Sequence, residues 1–425
     1  MKATFYIMVF PLVFSLALAA ISSGQGRLSR DVTLPAQELV QLGDLILIGA
    51  GRGLDSHRWR YISFSTVKDE DLRAKQDAVL YALATLSRTK LTERQYLSRV
   101  ADHLWAIDTV GLGWESSVWD SFARAEQYYM DAGNPVIRDF FQKRTGSRLP
   151  ILRHDEFLNG CWEPARYVAA LAVPKTKDEF IDAFIGKNPK RQFGVVSQKL
   201  TVSTQPGRVA RFVPGPNQFD LGPVYMRVLT SDASGRADPH LFPSDMDGDH
   251  TEFIWRLPDG MFAFTTYDKT GRLALSVSTD LSRDKDGKAV RLAISCIECH
   301  TSGPRGLDHA DDPADLLLVG LNPAEFDREA LVADTGQDQR NWAAALKGIN
   351  GLTPARNVDG VRRTWEGFRQ PIGSEDVVRE LGLPAWRGYD NWPRSRFGEV
   401  VSWAGSDRLN RVFMEAAATR FNAAK

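Results

Sequence analysis

Glu252-Phe253-Ile254-Trp255-Arg256-Leu257 runs into Pro258-Asp259-Gly260, then Met261 to Tyr267, Asp268 to Gly271, and Leu273 to Val277. The runs have strand length and are rich in aromatic and β-branched residues. The breaks between them are turn chemistry: Pro presets φ, Asp bonds its own backbone, and Gly accepts positive φ. The segment therefore predicts three strands joined by two tight turns, a β-meander. Upstream, Val224 to Leu229 reads as a short apolar strand, and Val196, Leu200 and Val202 partly keep a two-residue period. Residues 194–290 form an expected β-rich region.

On either side the period lengthens. Asp69, Glu70 and Asp71 open a segment whose Leu72, Val79, Leu83 and Leu86 share one helical face. Thr92 with Gln95 reads as a capping box before Tyr96, Leu97, Val100 and Leu104. Asn134-Pro135 starts a helix through Phe140 and Phe141, ended by Gly146 and Pro150, and Thr176 caps a short helix with Phe180, Ile181 and Phe184. Past residue 300, Asn322-Pro323 starts a helix and Gln339 to Leu346 continues the pattern. Ser374 precedes Val377 to Leu381, and Asp407 to Phe421 is a final helix. Gly351, Pro354, Gly360 and Pro371 are expected to mark loops. The predicted class is α+β: a mainly helical region at 27–193, the β-meander region, and a mainly helical region at 291–425.

Between the last two lies Cys296-Ile297-Glu298-Cys299-His300. C-x-x-C-H is the attachment sequence of c-type haem. Two thiols add across the two vinyl groups of the haem as thioethers, and the histidine ligates the iron from the same side. On a helical turn Cys296 and Cys299 (i, i+3) share a face, and His300 projects beside them. The expected cofactor is one covalent haem c, with His300 as proximal ligand. Two other readings of C-x-x-C stay open. A thioredoxin-like redox pair could follow a strand at Val290 to Ile294, but it gives His300 no role. A structural zinc site needs a second ligand pair, and Cys161 is the only other thiol.

A ligating imidazole needs an acceptor on its other nitrogen, and the carbonyl of Pro304 is well placed in sequence to provide it. Arg305 can pair with a haem propionate through its planar fork. For the sixth ligand, Met414 is the only Met after His300. His309 is the alternative, His240 and His250 would approach from the β-rich region, and an open or water-filled position is a further option. Asp245-Met246-Asp247-Gly248-Asp249 and Asp284-Lys285-Asp286-Gly287 miss the calcium-loop pattern and read as acidic turns. No Walker A, H-E-x-x-H or G-x-S-x-G sequence occurs.

The N-terminus has Lys2, an apolar run from Phe5 to Leu18, and Ala17-Leu18-Ala19 before a polar stretch. That is the pattern of a secretory signal peptide over residues 1–19; the alternative is an uncleaved anchor helix. Export to the periplasm suits the motif, because bacteria attach c-type haem outside the cytoplasm. No Cys follows the apolar run to take a lipid anchor, and no later stretch of 18 apolar residues occurs. Among 425 residues, basic and acidic side chains tie at 53 each, without a basic stripe. This balance gives no footing for a nucleic-acid partner.

The chain resembles a group of exported bacterial c-type cytochrome-domain proteins with a single C-x-x-C-H site. The resemblance runs from Phe253-Ile254-Trp255-Arg256-Leu257-Pro258-Asp259-Gly260-Met261 into Ile294-Ser295-Cys296-Ile297-Glu298-Cys299-His300. It continues more weakly through Asn322 to Arg328 and Glu380 to Leu383, and Arg58 to Phe64 is similar in pattern. It implies haem binding and electron transfer. The expected function is that of a periplasmic monohaem cytochrome passing single electrons to or from a redox partner protein. The alternatives are a peroxidase-like or small-molecule oxidoreductase with an open iron position, and a haem-based sensor.

Overall fold

Two large sheets and a short two-stranded one organise the described residues, seen in a computed structural model. It describes residues 42–44, 46, 55–65, 67–90, 97–101, 103–123, 135–147, 149–187, 189–196, 207–214, 222–229, 248–284, 286–301, 303, 328–349 and 354–370. The chain is α+β. The expected signal peptide, Leu200, Val202, Asn322-Pro323, Val377 to Leu381 and Asp407 to Phe421 lie outside the described residues.

The first region contains more than helices. β1 (Trp59–Ser63) is followed by α1 (Asp69–Ala84), β2 (Leu97–Ala101) and β3 (Leu104–Asp108). Next come α2 (Ser116–Ala123), α3 (Pro135–Thr145), β4 (Ile151–Arg153), α4 (His154–Cys161) and α5 (Pro164–Ala170). The strands form a sheet in the order β2-β3-β1-β4, antiparallel except for β1 with β4. The helix expected behind Thr92 and Gln95 is therefore a strand pair. Every residue of β3 is buried, so its sequence shows no alternation to betray it. α1 and α3 form where their apolar spacing predicts, and Gly146 ends α3 at φ +73°. Thr176 caps α6 (Lys177–Phe180) in a full capping box: its hydroxyl accepts from the Glu179 amide, and the Glu179 carboxylate accepts from the Thr176 amide at 3.1 Å.

The second sheet is a continuous antiparallel meander, ordered β10-β9-β8-β7-β6-β5. Its strands are β5 (Lys190–Val196), β6 (Gly207–Val213), β7 (Val224–Leu229), β8 (His250–Arg256), β9 (Phe262–Asp268) and β10 (Leu273–Ala274). The β8–β9 turn closes with the Met261 carbonyl accepting from the Leu257 amide at 2.7 Å, and Gly260 takes φ +93°. The last expected strand is divided. Leu273 and Ala274 pair with β9, whereas β11 (Ser276–Val277) pairs with β12 (Val290–Arg291). Along β8, Thr251, Phe253 and Trp255 are buried, and the Phe180 ring lies 4.5 Å from Phe253 and 5.3 Å from Trp255. His250, Glu252, Ile254 and Arg256 occupy the opposite face.

α7 (Ile294–Cys299), α8 (Arg328–Gly348) and α9 (Pro354–Arg369) complete the described chain. α8 is clamped to the second sheet through Asp338, which accepts from Arg211 Nε at 2.9 Å and from the Tyr225 hydroxyl. α9 packs on α1 and α4. Pro354 and Gly360, expected in loops, instead begin and line this helix. Proline suits a first helical turn, where its missing N–H breaks no bond. At Gly360 an added Cβ would stand 3.3 Å from Ala78 Cβ, so glycine permits the close crossing with α1.

Asp259 occupies the β8–β9 turn with Oδ1 accepting from the Met261 amide at 3.0 Å, while Oδ2 is sealed from solvent and has no partner among the described residues. Burial pushes this carboxyl up to about 8. The folded chain therefore holds a proton there that the unfolded chain releases near pH 4. This contribution is fully present below about pH 4 and is lost as pH rises toward 8. Asp259→Asn is expected to flatten that part of the stability profile between pH 4 and 8, read as urea midpoints of variant and wild type at each pH. An unchanged pH slope would contradict the assignment.

Candidate functional site

α7 starts directly behind β12. Ala293, at φ +68°, turns the chain sharply, and its carbonyl accepts from the Ile297 amide at 2.8 Å. Ser295 Oγ accepts from the Arg291 amide at 3.1 Å, tying the helix start back to the strand. Cys296 and Cys299 thus sit on one helical turn, and the His300 amide extends it to the Cys296 carbonyl at 2.9 Å.

His300 is positioned from two directions. Its Nδ1 lies 3.2 Å from the Gly303 carbonyl, and the Phe264 ring of β9 lies 5.4 Å away at 35°. A carbonyl only accepts, so Nδ1 carries the proton and the ring's lone pair lies on Nε2. The acceptor role expected of Pro304 is thus filled one residue earlier. Gly303, at φ +82°, donates its own amide to the His300 carbonyl at 2.9 Å. An added Cβ there would stand 3.3 Å from the Trp342 ring of α8, so the loop accepts glycine. Pro304, Arg305, His309, His240 and Met414 lie outside the described residues.

The motif borders a cleft holding about 600 Å³ of space, solvent at its mouth included. Cys296, Cys299 and His300 form one side. Ile254, Phe264, Val277 and Leu292 provide apolar surface, and Arg227, Glu252 and Arg283 bring charge. His250 does not line it. Asp284 turns out as an acidic turn, Oδ1 accepting from the amides of Asp286 and Lys288 at 2.9 and 2.8 Å.

No disulfide joins Cys161, Cys296 and Cys299. Burial pushes the Cys296 thiol up, and nearby Glu252 and Cys299 add to the shift. In the folded chain it is a protonated thiol at neutral pH, a weak nucleophile. Burial raises Cys161 as well, and its Sγ donates to the Leu158 carbonyl. It is core material.

These residues fit a thioether-linked haem: paired sulfurs on one turn, an imidazole with its tautomer set for iron, and an apolar cleft beside them. Among the described residues no three His, Cys, Asp or Glu side chains gather as a metal site, and a haem iron asks for only one or two protein ligands. Phe264, Gly303, Trp342, Arg227 and Glu252 carried no signal in sequence, since they reach the motif through sheet and helix packing. Among the described residues no helix is long and apolar enough to cross a membrane. Comparisons with protein-family models, with curated proteins and with solved structures each returned no match to the chain.

Proposed function

We propose that this chain is an exported monohaem c-type cytochrome. Cys296 and Cys299 hold one haem c, His300 is its proximal ligand, and a redox partner protein exchanges single electrons with it. When bound, the haem supplies reversible one-electron chemistry between ferric and ferrous iron. The observation that carries the reading is the juxtaposition of both sulfurs with an imidazole whose Nδ1 is committed to the Gly303 carbonyl. That hydrogen bond orients the ring and raises the basicity of Nε2. Phe264 fixes the imidazole plane from the sheet side. The apolar lining limits water at the site, which with axial ligation sets the potential. The cytochrome c-like character of residues 291–425 belongs to this reading, as does export by residues 1–19.

The full chain, produced with its leader in a host competent in cytochrome maturation, should be coloured. Its pyridine haemochrome should give one c-type haem per chain, and its mass should exceed that of the leader-free chain by one haem. A colourless periplasmic protein without that increment would overturn the proposal.

A further inference from the structure

One face of the second sheet borders the cleft beside Cys296, Cys299 and His300, and that face is charged. Arg227 on β7 and Glu252 on β8 are directly paired across the strands. Arg227 Nη1 stands 3.6 Å from Glu252 Oε2, close enough for an ion pair and too far for a hydrogen bond. Nε and Nη2 of the same guanidinium are sealed from solvent and meet no acceptor among the described residues. A guanidinium offers five N–H donors, accepts nothing and keeps its charge in a protein. Donors buried in this way are costly until an acceptor arrives. Phe264 and Ile254, its neighbours in the cleft, offer no acceptor from their side chains.

We infer that Arg227 is the counter-charge for a carboxylate of the cleft's ligand, with Glu252 holding the guanidinium from the adjacent strand. The inference rests on the haem reading above, in which that carboxylate is a porphyrin propionate. The planar fork of Arg matches a carboxylate in two parallel hydrogen bonds, which a lysine cannot reproduce. A ligand without a carboxylate would leave Arg227 as it stands. Arg283 also borders the cleft, but it is exposed and donates Nε to the Thr279 carbonyl at 3.2 Å. It adds general positive charge without a buried, unpaired donor, and so serves as the control.

The test uses the full chain purified without haem, titrated with iron(III) protoporphyrin and with its dimethyl ester, which lacks both carboxylates. Wild type should bind the diacid at least about tenfold more tightly than the ester. Arg227→Met should abolish that preference, Arg227→Lys should keep part of it, and Arg283→Met should leave it intact. If Arg227→Met alone misfolds, Arg227→Met combined with Glu252→Gln removes both charges of the pair and should abolish the preference equally. Diacid preference surviving in the Arg227→Met chain overturns the inference, as does a wild type that binds both probes equally or binds neither. Haem attachment is read separately, as mass on the matured chain. A matured chain lacking haem, with an Arg227-dependent diacid preference, would overturn the covalent reading and still support a carboxylate site.

Discussion

Replacing both Cys296 and Cys299 by serine should reduce covalent haem from one per chain to none after maturation. A haem stain on a denaturing gel, with intact mass, reads this directly, because only thioether-bound haem survives denaturation. Either single replacement should leave one thioether and a weaker stain. The exchange is nearly isosteric, so far-ultraviolet circular dichroism of the double variant should match that of the haem-free wild type. Persistent stain in the double variant would show that the porphyrin is held elsewhere. The protonated, half-buried Cys296 adds a corollary. Haem mixed with the already folded, haem-free chain should form little covalent adduct at neutral pH, because the thiolate is the reactive form and burial suppresses it.

Asp338→Ala should give the largest loss of stability. Asp338 on α8 is buried between Arg211 and Tyr225, and Asp334 Oδ2 accepts from Arg211 Nη1 at 3.2 Å at the more open side. Removing Asp338 takes the carboxylate from a buried guanidinium and the acceptor from a buried tyrosine hydroxyl. Breaking one side of a buried ion pair costs about 3–5 kcal/mol, because the surviving charge stays desolvated. Urea denaturation should show that loss, and Asp338→Asn, which keeps an acceptor for Tyr225, should lose less. A change below about 1 kcal/mol would mean that α8 is held mainly by apolar contacts.

The parts legible in sequence share a trait: local chemistry and final structure agree. The Pro258-Asp259-Gly260 turn, the Thr176–Glu179 capping box and the Cys296–His300 turn each carry their own instruction within a few residues. The first sheet was hidden for the opposite reason. β1 and β3 are buried almost throughout, so hydrophobic alternation is absent, and Thr92 with Gln95 imitates a helix start ahead of β2. Pro354 and Gly360 look like breakers until α1 is present to make a first-turn proline and a close helix crossing useful. At the site the two sulfurs and the imidazole were readable, whereas Arg227, Glu252 and Phe264 were not. They reach the motif only through the order of β7, β8 and β9 in the sheet.

The seat of α9 against α1 and α4 bears on the order of biosynthesis. Residues 354–369 leave the ribosome, and cross any membrane, after the Cys296–His300 segment has done so. Until then the packed pair of α1 and α4 lacks a wall, and Lys75 lacks the Thr364 hydroxyl that its ammonium finds at 2.9 Å. The polypeptide thus completes the packing around α1 and α4 only after the Cys296–His300 segment has been synthesised.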